Sequence, residues 1–577
     1  MRRPLLPPRA ALWCLGLVAL AGLAYLSGLD NPFLLDDPIN IAKNDVIKRP
    51  LSLVGLLTDP RALVTISLRW NYLSGALDVT TYHLLNVLAH GATGCLVFAL
   101  AWVTLQLPVF AGRYARSGEA LAVVIAAVFL LHPIQTESVT YIIQRAEIFV
   151  SAGLVGALLA FVAMKDEPRP GAMVALVASC LLGMYSKPSF AVLPALFVAY
   201  DLFFLSRGRI ADALRRWPAY AVSVAAALFT FALSRSRGSF ESNTAGFDIE
   251  GITPTDYLSA QFGVLVHYLR VTLWPDDLCF DCGYQGPWPV LASPLGDSVV
   301  VPLAILVTLA LASLLASRRQ PLLPFALFAS AIVLSPTSSF IPLADFYVEH
   351  RLYLPIAFLA MGLVPVADAA IQQAAAKAGA AISLIPGLRI GAAAVVCVVL
   401  GALTIARNDL LADPIALMED SLAKAPQNER VHYNLANAYK REGRLDDAIP
   451  HYQEAIRLLP NIVRSYMNLG ALYLEQNRVE DALAIYRAGA EAKPEAAMAH
   501  RNVASASLRL ALWEDALTAA ERSLALEPTN ANGLKYRAQA LEKLGRRDDA
   551  REAYGRALEA APNDAELKAR LRGLAAH

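Results

Sequence analysis

Apolar runs separated by short polar breaks fill the chain from Ala10 to about Ala406. A membrane-spanning helix needs about 20 consecutive apolar residues. Two of the runs, 119–132 and 171–186, are shorter, but polar breaks bound them and neighbouring helices can shield their ends. The pattern therefore predicts about eleven spans, which lie at 10–29, 82–105, 119–132, 147–164, 171–186, 189–206, 217–233, 298–316, 321–340, 352–369 and 387–406.

Two of the apolar runs, the first at 10–29 and the least apolar at 256–274, differ from the others. The first run follows Met-Arg-Arg-Pro, and no convincing small-residue cleavage site comes after it, so we expect an uncleaved first helix. The weakest run, 256–274, carries Gln261, His267 and Arg270 in an otherwise apolar stretch. We therefore expect this run to be interfacial or re-entrant rather than a span.

The basic polar breaks give the orientation, because Lys and Arg favour the cytoplasmic side of a membrane. With an odd number of spans the N-terminus lies inside, and the C-terminal tail lies on the non-cytoplasmic face. The loops 30–81, 133–146 and 234–297 then face outward as well. The basic positions used are Arg2, Arg3, Arg9, Arg113, Arg116, Lys165, Arg169, Arg207, Arg209, Arg215, Arg216, Arg318 and Arg319.

The C-terminal tail has a strict period of 34 residues. This is the period of tetratricopeptide repeats, in which a small residue lies where two helices cross and a proline ends the second helix. Four full repeats are predicted at 429–462, 463–496, 497–530 and 531–564, after a half-repeat at 412–428. The positions in register are Pro426, Pro460, Pro494, Pro528 and Pro562, and Ala448, Ala482, Ala516 and Ala550.

Asn434, Asn468 and Asn502 recur with the same period on the first helix of each repeat. Amide side chains can donate to and accept from a peptide backbone, so these residues could bind an extended peptide in the concave groove. The alternative is that they make hydrogen bonds within the repeats.

Composition agrees with two regions in different solvents. The chain has 577 residues, 56% hydrophobic and 17% charged, whereas soluble chains carry about 25% charged residues. We expect a membrane domain over 1–406 and a soluble domain over 407–577, so the fold class is all-α. The net charge of +1 gives no indication of nucleic-acid binding.

Four of the six cysteines lie in apolar runs, where a thiol acts as a small hydrophobic group. Cys279 and Cys282 form a C-x-x-C pair in a polar loop. A structural disulfide fits if the loop faces an oxidising compartment. Two unrelated cysteines fit equally well, and a redox or metal site is a third alternative.

Two adjacent carboxylates, Asp36 and Asp37, follow the first span on the predicted outer face. Charge near the hydrocarbon boundary is costly and often functional. The pair could supply a general base and could hold a divalent metal such as Mn²⁺ or Mg²⁺, although no cofactor is certain. The alternative is the solvated start of a loop.

Further ionisable residues lie at the predicted membrane boundary. Cations there could hold a lipid phosphate and stabilise it as a leaving group, whereas the alternative for the arginines is interfacial anchoring. Lys187 stands alone between two apolar runs, which favours a functional role. The candidates that bind substrate are Lys187, Arg351, Glu137, Arg145, His132 and Glu349.

Five segments, read together, resemble the transmembrane and tetratricopeptide-repeat O-mannosyltransferases of the GT-C class and their bacterial relatives. The similarity extends over essentially the whole chain, in order. The second segment departs from animal members, which favour Gly-Arg-Ala-Asp where this chain has Gln-Arg-Ala-Glu. The segments are FLLDDPINIAKNDV at 33–46, HPIQTESVTYIIQRAE at 132–147, KPSFAVLPALFVAYDLF at 187–203, LWPDDLCFD at 273–281 and EHRLYLP at 349–355.

The resemblance implies a GT-C-like domain followed by a repeat solenoid, and an inverting glycosyltransferase. Asp36 would deprotonate an acceptor hydroxyl, supported by Asp37 or a metal. The hydroxyl would displace a polyprenyl or dolichyl phosphate from the sugar, which could be mannose. Lys187 and Arg351 would hold that phosphate, and the repeats would bind a protein acceptor.

Two other functions remain open at this point. A membrane-anchored repeat scaffold for an envelope complex explains the repeats but not the acidic pair or Lys187. A transferase with a glycan or lipid acceptor is the other. Ala-, Leu- and Arg-rich composition indicates a bacterial inner membrane with the repeats in the periplasm, and the endoplasmic reticulum membrane with luminal repeats is the alternative.

Overall fold

A computed structural model describes residues 6–236, 252–282, 297–318, 320–379 and 381–575. Its regular elements are all helices, as the sequence predicts. In the first unit of the chain these are α1 (Ala10–Ala24), α2 (Asp45–Lys48), α3 (Leu53–Thr58), α4 (Ala62–Gly75), α5 (Val79–Leu105), α6 (Gly118–Leu131), α7 (Thr136–Val139), α8 (Arg145–Ala163), α9 (Pro170–Met184), α10 (Leu193–Tyr200), α11 (Ile210–Leu214), α12 (Trp217–Ser236), α13 (Pro254–Leu273), α14 (Asp297–Ala316), α15 (Leu322–Leu334), α16 (Tyr353–Lys377), α17 (Ile385–Leu411) and α18 (Pro414–Lys424). Short 3₁₀ segments include Pro133–Gln135, Ile142–Gln144, Pro188–Val192 and Glu349–Leu352, and π-helical turns lie at Pro38–Ala42 and Asp201–Leu205.

Each predicted span coincides with one of these helices. Among the described residues, seven helical stretches are long and apolar enough to cross a membrane: Val79–Leu105, Ile142–Ala163, Pro188–Leu205, Trp217–Arg235, Val299–Ala316, Glu349–Lys377 and Ile385–Leu411. An eighth is α6 with the bent segment Pro133–Val139, at 51° to it. The apolar helices α1, α9 and α15 are shorter, so the count of about eleven spans stays a prediction.

The weakest apolar run is also helical, but it does not qualify as a span. It forms α13, in which Tyr257, Gln261 and Tyr268 are buried. These three side chains all hydrogen-bond to backbone carbonyls of residues 337–348. Of the predicted outer loop 234–297, the parts 237–251 and 283–296 lie outside the described residues, as do Arg2, Arg3 and Arg319.

Close backbone contact joins α8 and α9. A Cβ placed on Gly153 would lie 2.9 Å from the Cα of Gly183, and also 2.9 Å from the carbonyl oxygen of Ser179. Small residues of this kind let membrane helices approach each other closely. The contact matters for the site because Glu147 lies in the first turn of α8 and Lys187 follows the end of α9.

The end of α17 is buried within the first unit, so the boundary expected at 406/407 is wrong. The two compact units divide between Ala425 and Pro426. Asn408 accepts a bond from Thr140 Oγ1 (2.6 Å) and donates to the Ala24 carbonyl (3.2 Å). The charged pattern that begins at residue 407 does not mark the boundary, because Arg407 and Asn408 have protein partners rather than water.

The second unit, Pro426–His577, is built from helix pairs. The alanines that recur every 34 residues (Ala448, Ala482, Ala516 and Ala550) are fully buried, as expected where two helices cross. Its helices are α19 (Glu429–Arg441), α20 (Leu445–Leu458), α21 (Val463–Glu475), α22 (Val479–Ala492), α23 (Ala497–Arg509), α24 (Trp513–Leu526), α25 (Ala531–Lys543), α26 (Arg547–Ala560) and α27 (Ala565–Ala575).

Candidate active site

The two adjacent carboxylates have opposite environments. Asp36 is exposed and Asp37 is fully buried. The backbone between them and the first helix is constrained, since Leu35 has a left-handed φ of +35°, which is uncommon for a residue with a side chain. The Asp36 N–H donates to the Tyr141 hydroxyl (3.2 Å), and the Asp36 carbonyl accepts from Asn40 (2.8 Å). The backbone of Asp36 is therefore held while its carboxylate stays open to solvent.

Asp37 joins the segment after the first helix to the segment before α8. Its two carboxylate oxygens accept the N–H groups of Leu34 (3.1 Å) and Ile143 (2.9 Å). Burial raises the pKa of Asp37 to about 7, although these two N–H groups and the charge of Arg145 act in the opposite direction. Asp37 is thus held by backbone N–H groups, whereas the carboxylate of Asp36 is exposed; the catalytic roles of both residues stay predictions.

Arg145 is fully buried and holds α4, α5 and α8 together. Its guanidinium donates to Ser67 Oγ (3.1 Å), Asn71 Oδ1 (2.7 Å) and the Tyr82 carbonyl (3.2 Å). These acceptors engage both terminal nitrogens, whereas the buried Nε has no hydrogen-bond partner among the described residues. The contacts favour a structural role, and a role of Arg145 in binding substrate stays a prediction.

Tyr141 joins the acidic segment to the loop that contains the C-x-x-C pair. Its ring packs against Phe280, with ring centroids 5.6 Å apart. Burial raises the pKa of the Tyr141 hydroxyl, and the nearby charges of Asp36 and Asp37 raise it further, so the hydroxyl stays protonated. Cys279 and Cys282 form a disulfide on either side of Phe280, which decides between the alternatives left open by the sequence.

Glu137 and His350 form a largely buried pair. Glu137 Oε1 lies 2.6 Å from His350 Nδ1, and Oε2 accepts the backbone N–H of His350 (2.9 Å). Glu137 comes from α7 and His350 from the 3₁₀ segment before α16. The two contacts fix the orientation of the imidazole with respect to the carboxylate.

Lys187 forms an ion pair with Glu147, and both side chains remain partly exposed (18% and 11%). Both residues lie within electrostatic range of the His350 ring, whose side chain is 13% exposed. The packing of α8 against α9 therefore brings a lysine within electrostatic range of the Glu137–His350 pair. We call Glu137, Glu147, Lys187 and His350 the ionic cluster.

Glu349 is fully buried and is neutralised by an arginine from α17. Arg407 Nη2 donates to Glu349 Oε2 (3.1 Å), and Arg407 Nη1 donates to the Leu278 carbonyl (3.0 Å). Lys424 donates to the same carbonyl (2.7 Å), and the Cys279 backbone hydrogen-bonds Glu349. Glu349 thus joins the disulfide loop to α17 rather than facing solvent.

Two other predicted ligand-binding residues are also engaged by the protein backbone. The Arg351 guanidinium donates to the carbonyls of Asp345 (2.7 Å) and Phe346 (3.2 Å). His132 accepts from the Ile134 N–H (3.3 Å) at the start of a 3₁₀ segment, and its Nε2 lies 3.1 Å from the Thr272 carbonyl. Of the two cations predicted to bind phosphate, only Lys187 has a side chain that is not held by backbone carbonyls.

Each Asp37 oxygen already accepts a backbone N–H, and a divalent metal held by Asp36 and Asp37 stays a prediction. Within the described residues, no group of three or more His, Cys, Asp or Glu side chains could hold a metal ion.

The repeat asparagines are partly used within the repeats. Asn468 donates to the Tyr433 hydroxyl (2.9 Å) and to Asn437 Oδ1 (3.0 Å), and Asn502 contacts Met467 Sδ (2.9 Å). These contacts favour the structural alternative for Asn468 and Asn502. A role of Asn434, Asn468 and Asn502 in peptide binding stays a prediction.

The sequence did not single out His350, Arg407 or Tyr141. His350 and Tyr141 lie inside quoted segments, so their neighbours were the available signal. Arg407 begins the charged part of the sequence and was assigned to the soluble domain; its position seven residues before a proline gives no hint of a buried partner.

The C-terminal repeats match known protein families. Residues 411–462, 433–497, 467–531 and 531–564 match tetratricopeptide-repeat families. The C-terminal domain is a tetratricopeptide-repeat array. Among solved structures, the first tetratricopeptide-repeat domain of Spaghetti (RPAP3) is 26% identical, covering 20% of this chain and 90% of that chain, with a TM-score of 0.19.

Curated relatives confirm the resemblance stated from the sequence. Protein O-mannosyl-transferase Tmtc1 of Drosophila melanogaster is 30% identical over 29% of this chain and 20% of its own length. Protein O-mannosyl-transferase tmtc2 of Xenopus laevis is 35% identical over 22% of this chain and 16% of its own length. The human protein O-mannosyl-transferase TMTC1 is 22% identical, and the alignment covers 68% of this chain and 47% of that protein.

The human alignment is longer than the repeat domain, which runs from Pro426 to His577, so it also includes much of the membrane domain. The chain spans less than half the length of each of these relatives. The likeness is therefore to part of each relative.

Proposed function

We propose that this chain is a membrane glycosyltransferase that transfers a sugar from a polyprenyl- or dolichyl-phosphate donor to a hydroxyl of a protein acceptor. The observation that carries the proposal is the acidic pair, in which buried Asp37 anchors the segment and exposed Asp36 is free to act. The similarity to proteins named protein O-mannosyl-transferase supports a transferase that acts on proteins, with mannose as the first sugar to test.

Asp36 is the general base of the proposed reaction. The acceptor oxygen forms a bond to the anomeric carbon as its proton passes to Asp36. The bond from that carbon to the phosphate oxygen breaks, its electron pair stays on the phosphate, and the configuration inverts. A base must lie within hydrogen-bond reach of the proton it takes, and an exposed carboxylate on a fixed backbone meets this requirement.

Lys187 compensates the charge that develops on the departing phosphate. A cation at the edge of an apolar domain suits a ligand with a charged head and a lipid tail. Glu147 holds the ammonium group in place, but an ammonium has three donors, so others remain for the phosphate.

The repeats would guide the protein acceptor, as is usual for solenoids with an extended concave surface. The proposed location is a bacterial inner membrane with the repeats in the periplasm, and the endoplasmic reticulum membrane is the alternative. The disulfide between Cys279 and Cys282 supports an oxidising, non-cytoplasmic compartment for that loop.

Transfer by the purified full chain tests the proposal. The protein is incubated with a panel of polyprenyl-phosphate sugars and periplasmic extract, and labelled products are separated into protein, glycan and lipid. Asp36→Asn is nearly isosteric and should lower transfer by about 10²–10⁴-fold with donor binding retained. Asp45→Asn is the matched control, since Asp45 is exposed in the same loop and forms ion pairs with nearby Lys48 and Arg49.

If the label appears only in glycan or only in lipid, the acceptor is not a protein. If Asp36→Asn transfers sugar at the wild-type rate, Glu137 becomes the next candidate for the general base. If no polyprenyl-phosphate sugar is used at all, the membrane-anchored repeat scaffold becomes the better description.

A further inference from the structure

The ionic cluster contains two potential hydrogen-bond donors, each held by its own carboxylate. Glu147 holds the Lys187 ammonium, and Glu137 holds His350 through Nδ1 and through the backbone N–H. Both carboxylates belong to the second outer segment and the start of α8, whereas the two donors come from distant parts of the chain. Such carboxylate contacts fix the orientation and tautomer of a histidine that acts through its other nitrogen.

We propose that His350 contacts the donor phosphate through Nε2, next to Lys187, in place of the contact predicted for Arg351. This inference rests on the proposed function and names a second phosphate-binding residue for it. The ligand group is a phosphate that carries a lipid chain.

The free nitrogen of the ring supports this assignment. Among the described residues, Nδ1 lies 2.6 Å from Glu137 Oε1, whereas Nε2 makes no hydrogen bond and the side chain is 13% exposed. The buried His90 and His132 have both ring nitrogens bonded, and His83 leaves Nδ1 without a partner but sealed from solvent. His350 differs from His83 because its side chain is partly exposed. His350 instead keeps one nitrogen available at the partly open side of the cluster.

The Glu137–His350 pair can supply a donor in either of two arrangements. With two protons on the pair, either an imidazolium faces a carboxylate, or a neutral ring faces a protonated carboxyl group. In both arrangements Nε2 carries a hydrogen, and the pair as a whole is uncharged. The charges that face the ring are those of Lys187, Glu147, Arg351 and Asp345. An approaching phosphate adds negative charge at Nε2 and therefore favours the arrangements that place a proton there.

Arg351 contributes charge but few free donors. Its guanidinium is occupied by the carbonyls of Asp345 and Phe346, and more weakly by that of Thr337 at 3.4 Å. A direct bidentate contact with phosphate would require these bonds to break. His350, its neighbour in sequence, faces the cluster instead.

Two amide substitutions of His350 distinguish the roles of its two ring nitrogens. Asparagine places its amide near the position of Nδ1, so His350→Asn can keep the contact with Glu137 but loses the Nε2 donor. Glutamine reaches further and places its amide near the position of Nε2, so His350→Gln should restore part of the phosphate contact. His500→Asn, in the repeat domain, is the control.

The experiment measures binding of undecaprenyl phosphate and of undecaprenol to the full chain in nanodiscs. One lost hydrogen bond to a charged group corresponds to about 10- to 100-fold in affinity. We expect His350→Asn to weaken binding of the phosphate by this factor, with binding of undecaprenol unchanged. His350→Gln should bind the phosphate more tightly than His350→Asn, and His500→Asn should match the wild type.

Equal affinity of wild type and His350→Asn for undecaprenyl phosphate would overturn the inference and leave the proposed function standing. Loss of both lipids in His350→Asn and His350→Gln would show that His350 only supports the fold, and would also overturn it. If the wild-type protein neither binds undecaprenyl phosphate nor transfers sugar from it, the proposed function itself fails.

Discussion

Arg145 offers a sharp test of whether a buried cation in this protein supports the fold or binds substrate. Arg145→Met keeps much of the side-chain length and removes the charge and all donors. The buried Asn71 Oδ1 then loses its donor, the Tyr82 carbonyl loses one of its hydrogen bonds, and the Asp37 carboxylate loses the buried positive charge that lowers its pKa.

The size of the effect follows from these losses. Each buried acceptor left without a partner costs about 1–3 kcal/mol, and removing one member of a buried charged set typically costs about 3–5 kcal/mol. We expect the free energy of unfolding to fall by about 3–5 kcal/mol. Asp37→Asn in the same chain removes the uncompensated charge, so the double variant should be less destabilised than the sum of the single variants, by about 0.5–3 kcal/mol.

The pH dependence has a definite sign. Burial raises the pKa of Asp37 from 3.8 to about 7, so between these values the folded protein holds a proton that the unfolded chain releases. Stability from this group is therefore complete below pH 3.8 and is lost as the pH rises through about 7. Without Arg145 the pKa of Asp37 rises further, so the destabilisation by Arg145→Met should grow as the pH rises above about 7.

Equilibrium unfolding of the purified protein in mixed micelles, at several pH values, measures these quantities. Undecaprenyl-phosphate binding is measured on the same samples. The pH effect of Arg145→Met should disappear in the Asp37→Asn background. Unchanged stability of Arg145→Met together with lost binding of the lipid phosphate would refute the structural role and return Arg145 to the substrate site.

Three further predictions concern the supports of the site. Gly153→Val should destabilise the protein by about 1–3 kcal/mol and lower transfer, because the valine side chain would overlap α9. Gly16→Val is the control, because no atom lies within 4 Å of the added Cβ, and equal melting temperatures of the two variants would contradict the close packing. Reduction of the disulfide, or Cys279→Ser with Cys282→Ser, should lower transfer at unchanged expression, because the loop carries the Leu278 carbonyl and Phe280; full activity in reductant would show that the loop is held without it. The three repeat asparagines are Asn434, Asn468 and Asn502. If they bind an extended acceptor, replacing all three by alanine should weaken modification of a protein but not of a short soluble acceptor. Equal loss of modification for both acceptors would indicate a structural role.

The candidate site was predictable to the extent that its residues are adjacent in sequence. Asp36 and Asp37 stand out because two neighbouring carboxylates follow an apolar run. Their different environments were not predictable from the sequence. The buried Asp37 carboxylate accepts a hydrogen bond from the N–H of Ile143, which lies more than a hundred residues away in the chain. Arg351 and His350 show the same limit, because only packing decides which of two neighbouring side chains faces the ionic cluster.

The sequence by itself determined the helical class, the position of an apolar helix at each predicted span and the repeat array. The physical reason is that apolar runs and a period of 34 residues are local properties, which each segment shows without reference to the rest of the chain. The tertiary structure alone decided that α17 and Arg407 belong to the membrane domain, that Arg145 and Arg351 donate to protein acceptors, and that Lys187 comes within electrostatic range of His350. These pairings join residues far apart in sequence, and they depend on which buried polar groups find partners when all the helices pack together.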